Sequence, residues 1–155
     1  MKNKLYKVLD DINSLKKNEA LMSKVKQSDK KGFRTYYNKK KIDDQFDNLI
    51  EPYSSFYKNQ KILDIGCNSG IVTYALSFFA KGCIGVEQGG NSWTHIEEVT
   101  EKHAGNTVKF VNSSLESFLQ GNADFDMVFA CQVLYYLSPS EVDLLKSKLI
   151  SQCSK

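Results

Sequence analysis

The chemistry this sequence offers begins with two carboxylates and a glycine turn. Asp64 opens the run Asp64-Ile65-Gly66-Cys67-Asn68-Ser69-Gly70. Lys61 to Ile65 reads as a short strand and the residues from Ile71 as an apolar helix, so the run joins a strand to a helix. Gly66 suits a tight turn that brings backbone close to a ligand, and Gly70 lets the helix start against the strand. The first N–H groups of that helix have no partner within it. A phosphate-binding loop has a similar outline. Neither the Gly-Lys-Ser/Thr of a P-loop nor the full G-x-G-x-x-G fingerprint is present, because the middle glycine falls at Asn68. A carboxylate repels phosphate, so Asp64 suits a cationic or hydroxyl-bearing ligand; capping the helix or pairing with a loop cation are the other uses open to it.

Glu87 ends the run Ile84-Gly85-Val86-Glu87, one helix and one strand beyond Gly70. An acid at that point is placed to accept both hydroxyls of a ribose. With the glycine loop it points to a nucleoside.

The elements that must position these residues alternate in type. Strands are expected at 61–65, 83–86, 107–111 and 125–130, and helices at 71–80, from Asn91 or Ser92 to about Ala104, at 114–119, and from Ser138 to about Ser151. Ser138-Pro139-Ser140-Glu141 has the pattern of a capping box with proline at the first helical position. The first 28 residues read as helix, with Leu5, Val8, Leu9, Ile12 and Leu15 on one face. A second helix through Ile42, Phe46, Leu49 and Ile50 is expected to stop at Pro52. Short apolar strands alternating with helices make an α/β fold: a mostly parallel sheet, helices on both faces, preceded by N-terminal helices. Ligands of such sheets bind beyond the carboxyl ends of the strands. The expected organisation is an N-terminal helical segment or lid at 1–58 and a core at 59–155.

Taken as a set, three segments resemble class I S-adenosylmethionine (SAM)-dependent methyltransferases, whose fold is Rossmann-like. Lys61-Ile-Leu-Asp-Ile-Gly-Cys-Asn-Ser-Gly70 is similar to their first motif. Ile84-Gly-Val-Glu87 is similar to the acidic motif after the second strand, and Phe125-Asp-Met-Val-Phe-Ala-Cys-Gln-Val-Leu-Tyr-Tyr-Leu137 to the segment after the fourth. The resemblance covers about residues 60–150. It implies that Asp64 and the loop of Gly66, Cys67, Asn68 and Gly70 hold the methionine part of SAM. It also implies that Glu87 takes the ribose hydroxyls and Gln88 lies beside the adenine. Ser113 and Ser114, with Glu116 a turn on, would border the adenine amino group, and Cys131 to Val133 would flank the donor. The family often has Gly-Asp where this chain has Asn112-Ser113. Arg34 could pair with the SAM carboxylate, and Tyr36 or Tyr37 could cover the donor; an aromatic anchor for the N-terminal helices is the other use of that segment. Ala130-Cys131-Gln132 lacks the proline of cytosine-C5 enzymes, so Cys131 is not read as a nucleophile. No general base stands out, and methyl transfer does not require one. The implied function is methyl transfer from SAM, leaving S-adenosylhomocysteine, to a small molecule, a sugar or RNA. The alternative is a non-catalytic SAM-fold subunit.

A family member normally has three more strands. The C-terminal part of the usual sheet is therefore expected to be missing, and strand four to be an edge that a second copy or a partner chain covers. Residues 1–41 carry 13 Lys or Arg against 4 Asp or Glu. That excess is compatible with a nucleic-acid partner, although Arg34 is the only arginine in the chain. The start is broken by charge and no apolar run would span a bilayer, so a cytoplasmic protein without membrane or metal partners is expected. Cys67, Cys83, Cys131 and Cys153 have no metal-ligand spacing and read as reduced thiols.

Overall fold

The computed structural model describes residues 1–15, 17–19, 23, 38–88, 91–121 and 124–153. Helix α1 spans Lys2–Leu15. After it, α2 (Lys39–Gln45) runs into a wider π-helical turn, Phe46–Ile50. A 3-10 turn, Glu51–Tyr53, and the short α3 (Ser54–Tyr57) follow. Pro52 therefore does not stop the helical path. It sits in the first turn of the 3-10 segment, where a missing N–H costs nothing.

The sheet comprises β1 (Lys61–Ile65), β2 (Gly82–Glu87), β3 (Val108–Asn112) and β4 (Met127–Phe129), in the order β3-β2-β1-β4 and parallel throughout. Between them lie α4 (Ile71–Leu76), α5 (Asn91–Ala104) and α6 (Leu115–Gln120), and α7 (Pro139–Cys153) follows β4. The expected helix over 71–80 stops at Leu76. Phe78 and Phe79 then turn to meet Phe46, with ring centroids 6.5 and 6.3 Å away. Strand four is shorter than expected. Asp126 is held just outside it: its N–H donates to the Lys61 carbonyl, and its carboxylate accepts the Lys61 N–H, each at 2.8 Å.

Alternation along the strands sorts two cores. Ile62, Cys83 and Val108 face one side, where α1, α2, α4 and α5 pack; Leu63, Ile65 and Val86 face the other, against Leu115 and Leu119 of α6 and Leu145 of α7. Leu5, Val8, Leu9 and Ile12, the apolar stripe of α1, are buried in the first of these cores. His103 of α5 bonds Asp11 of α1 at 2.7 Å and ties the two helices further. The expected extension of the first helix past Leu15 falls largely outside the described residues. Two helices start where local chemistry dictates. Ser114 accepts the Ser117 N–H at 3.2 Å, and the Ser138 capping box closes with the Ser138 N–H donating to Glu141 Oε2 at 2.8 Å.

Phe110 of β3 fixes how closely the loop after β1 can sit. A Cβ on Gly70 would lie 2.0 Å from the Phe110 ring, and one on Gly85 would lie 2.7 Å from it. Gly70 also holds φ +74°, which disfavours any other residue. Helix α1, sharing its core with the sheet, should unfold with it. Ile12→Ala should lower stability by about 2–4 kcal/mol. A shifted urea midpoint with an unchanged slope, read by both helix and tyrosine signals, is the expected result.

Candidate active site

The carboxyl ends of β1, β2 and β4 meet at the loop from Gly66 to Ser69. Gly66 turns with φ +68° and donates its N–H to the Val86 carbonyl at 2.8 Å; the Cys67 N–H shares that acceptor at 3.3 Å. Asn68, in the left-handed region at φ +50°, donates its backbone N–H to Glu87 Oε2 at 3.0 Å and its side-chain amide to the Gly66 carbonyl at 2.8 Å. The glycine loop and the Glu87 carboxylate are thus one hydrogen-bonded unit. Beyond β4, Gln132 also takes positive φ, +57°, a conformation that costs energy and commonly marks a functional turn.

Two clefts of about 310 and 210 Å³ flank this loop and share Gly66, Asn68, Cys131, Gln132 and Tyr136 as walls. The first is lined by Glu87, Gln88 and Ser113 with Leu115, Val133 and Leu137, so it combines a carboxylate with an apolar slot. Glu141 of the capping box also reaches it. The second is lined by Asp64, Cys67 and Ser69, by Lys41 and Gln45 of α2, and by Tyr135.

Asp64 is 3% exposed and accepts a 2.6 Å hydrogen bond from Thr73 of α4. Burial raises its carboxyl to about 7, the Thr73 bond pulls the other way, and the Glu87 charge adds to the rise. Burial likewise pushes Cys67 well above the usual thiol range and Cys83 to about 12, so neither is a ready nucleophile. Cys131 is also raised, chiefly by burial, with Lys41 acting in the opposite sense. Lys41 itself is lowered by burial.

Most of the residues singled out from the sequence meet here. Gly66, Asn68, Glu87, Gln88, Ser113 and Cys131 line the first cleft; Asp64, Cys67 and the shared residues line the second. Gly70 lines neither, and its place is structural, at the start of α4 under Phe110. The Ser114 hydroxyl is engaged as the cap of α6. Arg34 and Tyr37 lie outside the described residues. Sequence reasoning missed Lys41, Gln45, Tyr136 and Glu141, of which only Glu141 carried a signal, its place in the capping box. It also missed Glu97 of α5. That side chain is 4% exposed, its Oε1 has no hydrogen-bond partner, and burial with the nearby Glu87 and Glu101 charges raises it to about 7. Among the described residues no His, Cys, Asp and Glu cluster could hold a metal, and no helix is long and apolar enough to cross a membrane.

Comparison with known proteins gives the same architecture. A methyltransferase-domain family matches residues 62–151. No curated protein matches the chain. Among solved structures, TehB from Haemophilus influenzae superposes with a TM-score of 0.54 at 16% identity, over 72% of this chain and 41% of that one. Magnesium protoporphyrin IX methyltransferase (ChlM) from Synechocystis PCC 6803, solved with bound SAH, gives 0.52 at 16% identity, over 74% of this chain and 54% of that one. YcgJ from Bacillus subtilis gives 0.50 at 20% identity, over 59% of this chain and 42% of that one. The matches therefore span about half the length of these relatives, and at such identities the likeness is one of fold. With the family matched over more than half the chain and the parallel sheet in place, this protein belongs to the methyltransferase-domain family and has the Rossmann-like fold of SAM-dependent methyltransferases.

Proposed function

We propose that the two clefts together bind SAM and that the chain transfers its methyl group to an acceptor entering beside Tyr135. The observation that carries this reading is the pair of carboxylates on one glycine loop. Glu87 lines one cleft and Asp64 the other, and the loop and the Cys131–Gln132 turn form their common wall. The donor set suits a nucleoside bearing a cation and not a pyrophosphate. Among the described residues, the first cleft is lined by Glu87 and Glu141 and by no cationic side chain.

SAM, when bound, supplies a methyl group already activated on a positively charged sulfur. The protein's part is to bind and orient. Glu87 accepts the ribose hydroxyls, while its bond from Asn68 keeps the carboxylate aimed. Gln88 and Ser113 border the adenine, with Leu115, Val133 and Leu137 as its apolar slot. Asp64 and the Gly66 backbone hold the ammonium of the amino-acid end, and Cys131 and Gln132 stand beside the donor sulfur. On this reading Arg34 pairs with the SAM carboxylate and Tyr36 or Tyr37 covers the donor, roles drawn from the family resemblance for residues outside the described ones. A small molecule, a sugar or RNA is the acceptor. A partner chain or second copy pairing with β4 is a second reading, favoured because β4 pairs only with β1 among the described residues.

Asp64 makes this reading depend on pH. Its folded value, about 7, lies above the ordinary carboxyl value, so the folded state holds a proton that the unfolded state has lost between about pH 4 and 7. That contribution is present at low pH and is lost as pH rises towards 7. A cation bound beside Asp64 favours the charged form. The affinity for S-adenosylhomocysteine should therefore fall as pH drops below about 7, by up to about tenfold per pH unit.

Calorimetry and thermal melts test this reading. S-adenosylhomocysteine should bind in preference to NAD, and Glu87→Ala should weaken it by about tenfold or more. No binding at millimolar ligand would overturn the reading. Asp64→Asn should flatten the pH dependence of binding. Without ligand, the melting temperature of Asp64→Asn relative to the unmodified protein should climb between pH 5 and 7 and level off above 8. A constant difference across that range would show that Asp64 ionises normally.

A further inference from the structure

The sheet face that carries the second core is covered only in part. Helix α6 lies over it with six residues, about 9 Å of helix. Strand β2 is about 16 Å long. Ile84 and Val111 pack against that core and are still half-exposed. A groove of about 530 Å³ opens there, at the amino ends of β1 and β2 and so at the far end of the strands from Asp64 and Glu87. Strand alternation turns Gly82 and Ile84 of β2 and Lys109 and Val111 of β3 to this face, and Phe118 of α6 closes over them.

Gly82 is a glycine that the fold does not ask for. Its φ lies outside the left-handed region, and a Cβ there would come no nearer than 3.9 Å to the Thr107 carbonyl oxygen, its closest neighbour beyond the adjoining residues. A glycine within a strand commonly marks a place where a ligand or another backbone comes close. Here the missing side chain leaves the floor of the groove bare.

Charge selects the occupant. Asp124 is the one carboxylate lining the groove among the described residues, and Lys61 engages it. Lys81 and Lys109 also line the groove; both are exposed, and neither forms an ion pair among the described residues. Two ammoniums beside an apolar floor complement an organic anion with an apolar tail. The floor is aliphatic and Phe118 is the only ring lining the groove, so an alkyl tail suits it better than a stack of rings. Eleven of the described residues line the groove, whereas a stable protein interface takes roughly 20–30 a side, which favours a small molecule.

We propose that this groove is a second ligand site and that it takes a fatty-acid carboxylate of short to medium chain. The tail lies on Gly82, Ile84 and Val111 beneath Phe118, and the carboxylate meets Lys81 and Lys109. The inference is independent of the SAM reading, since no residue lining the groove lines either cleft.

Octanoate is the probe and octylammonium its control, each titrated into the full chain and followed by amide NMR. Octanoate should shift the Gly82, Ile84 and Gly121 signals saturably and leave those of Gly66 and Asn68 in place, while octylammonium should bind at least about fivefold more weakly. Gly82→Leu fills the floor with no change of backbone, so octanoate should weaken by about tenfold or more while the melting temperature holds or rises. Lys81→Glu combined with Lys109→Glu changes only exposed side chains; it should weaken octanoate by about fivefold or more and strengthen octylammonium. The charge variant decides the matter should Gly82→Leu fail to fold. The proposal is overturned by the absence of a saturable octanoate shift, by equal binding of the two probes to the unmodified protein, or by octanoate affinity that survives the charge variant or a folded Gly82→Leu.

Discussion

Everything at the carboxyl end of the sheet depends on the clamp between the loop after β1 and the end of β2. The Val86 carbonyl takes two N–H groups of the loop, and the Glu87 carboxylate takes a third from Asn68. Three consecutive backbone donors are thereby committed to the neighbouring strand. The loop can turn this tightly because Gly66 and Asn68 occupy left-handed conformations. Without the clamp, Glu87 would be a solvated acid at a strand end and Asp64 a buried one with only Thr73 for company. With it, both carboxylates are fixed relative to one stretch of backbone.

The same compactness accumulates acid in a dry region. Asp64 and Glu97 are both nearly inaccessible, and both are raised to about 7. Each lies near enough to Glu87 to feel its charge. Burying carboxyls without cationic partners costs stability, and strongly perturbed groups of this kind cluster at functional sites. Thr73 offsets part of this for Asp64 through its hydroxyl. The unpartnered Oε1 of Glu97 has no such relief among the described residues.

Much of this was legible in the sequence, for reasons that are local. The alternation of short apolar strands with amphipathic helices gave the parallel sheet, and the Ser114 and Ser138 caps placed α6 and α7 within a residue, because a cap is a bond between near neighbours. Asp64 and Glu87 were visible because a carboxylate at the end of an apolar strand is out of keeping with its surroundings. What escaped was set by contacts between distant segments. The helix over 71–80 is cut short because Phe78 and Phe79 turn towards Phe46, which no property of 71–80 announces. Strand four loses its first residues to the bonds between Asp126 and Lys61. Lys41 looks like one more lysine in a basic run. Its position in the cleft follows only from Ile42 being driven into the core. The burial of Glu97 follows from α5 lying against the first core, where Val99 and Ala104 pack.

The Phe110 ring occupies space that side chains at both Gly70 and Gly85 would need, while Cys67 crowds Gly85 from the other side at 2.8 Å. These four positions therefore behave as a single volume shared between three segments of chain. Trimming Phe110 would leave a void bounded by two bare backbones, and neither glycine could fill it by gaining a methyl alone, since Gly70 would still be held in its left-handed turn and a Cβ on Gly85 would still meet the Cys67 sulfur. Enlargement on one segment has to be matched by reduction on another, so the useful variants in this corner of the molecule are coordinated exchanges and not single substitutions.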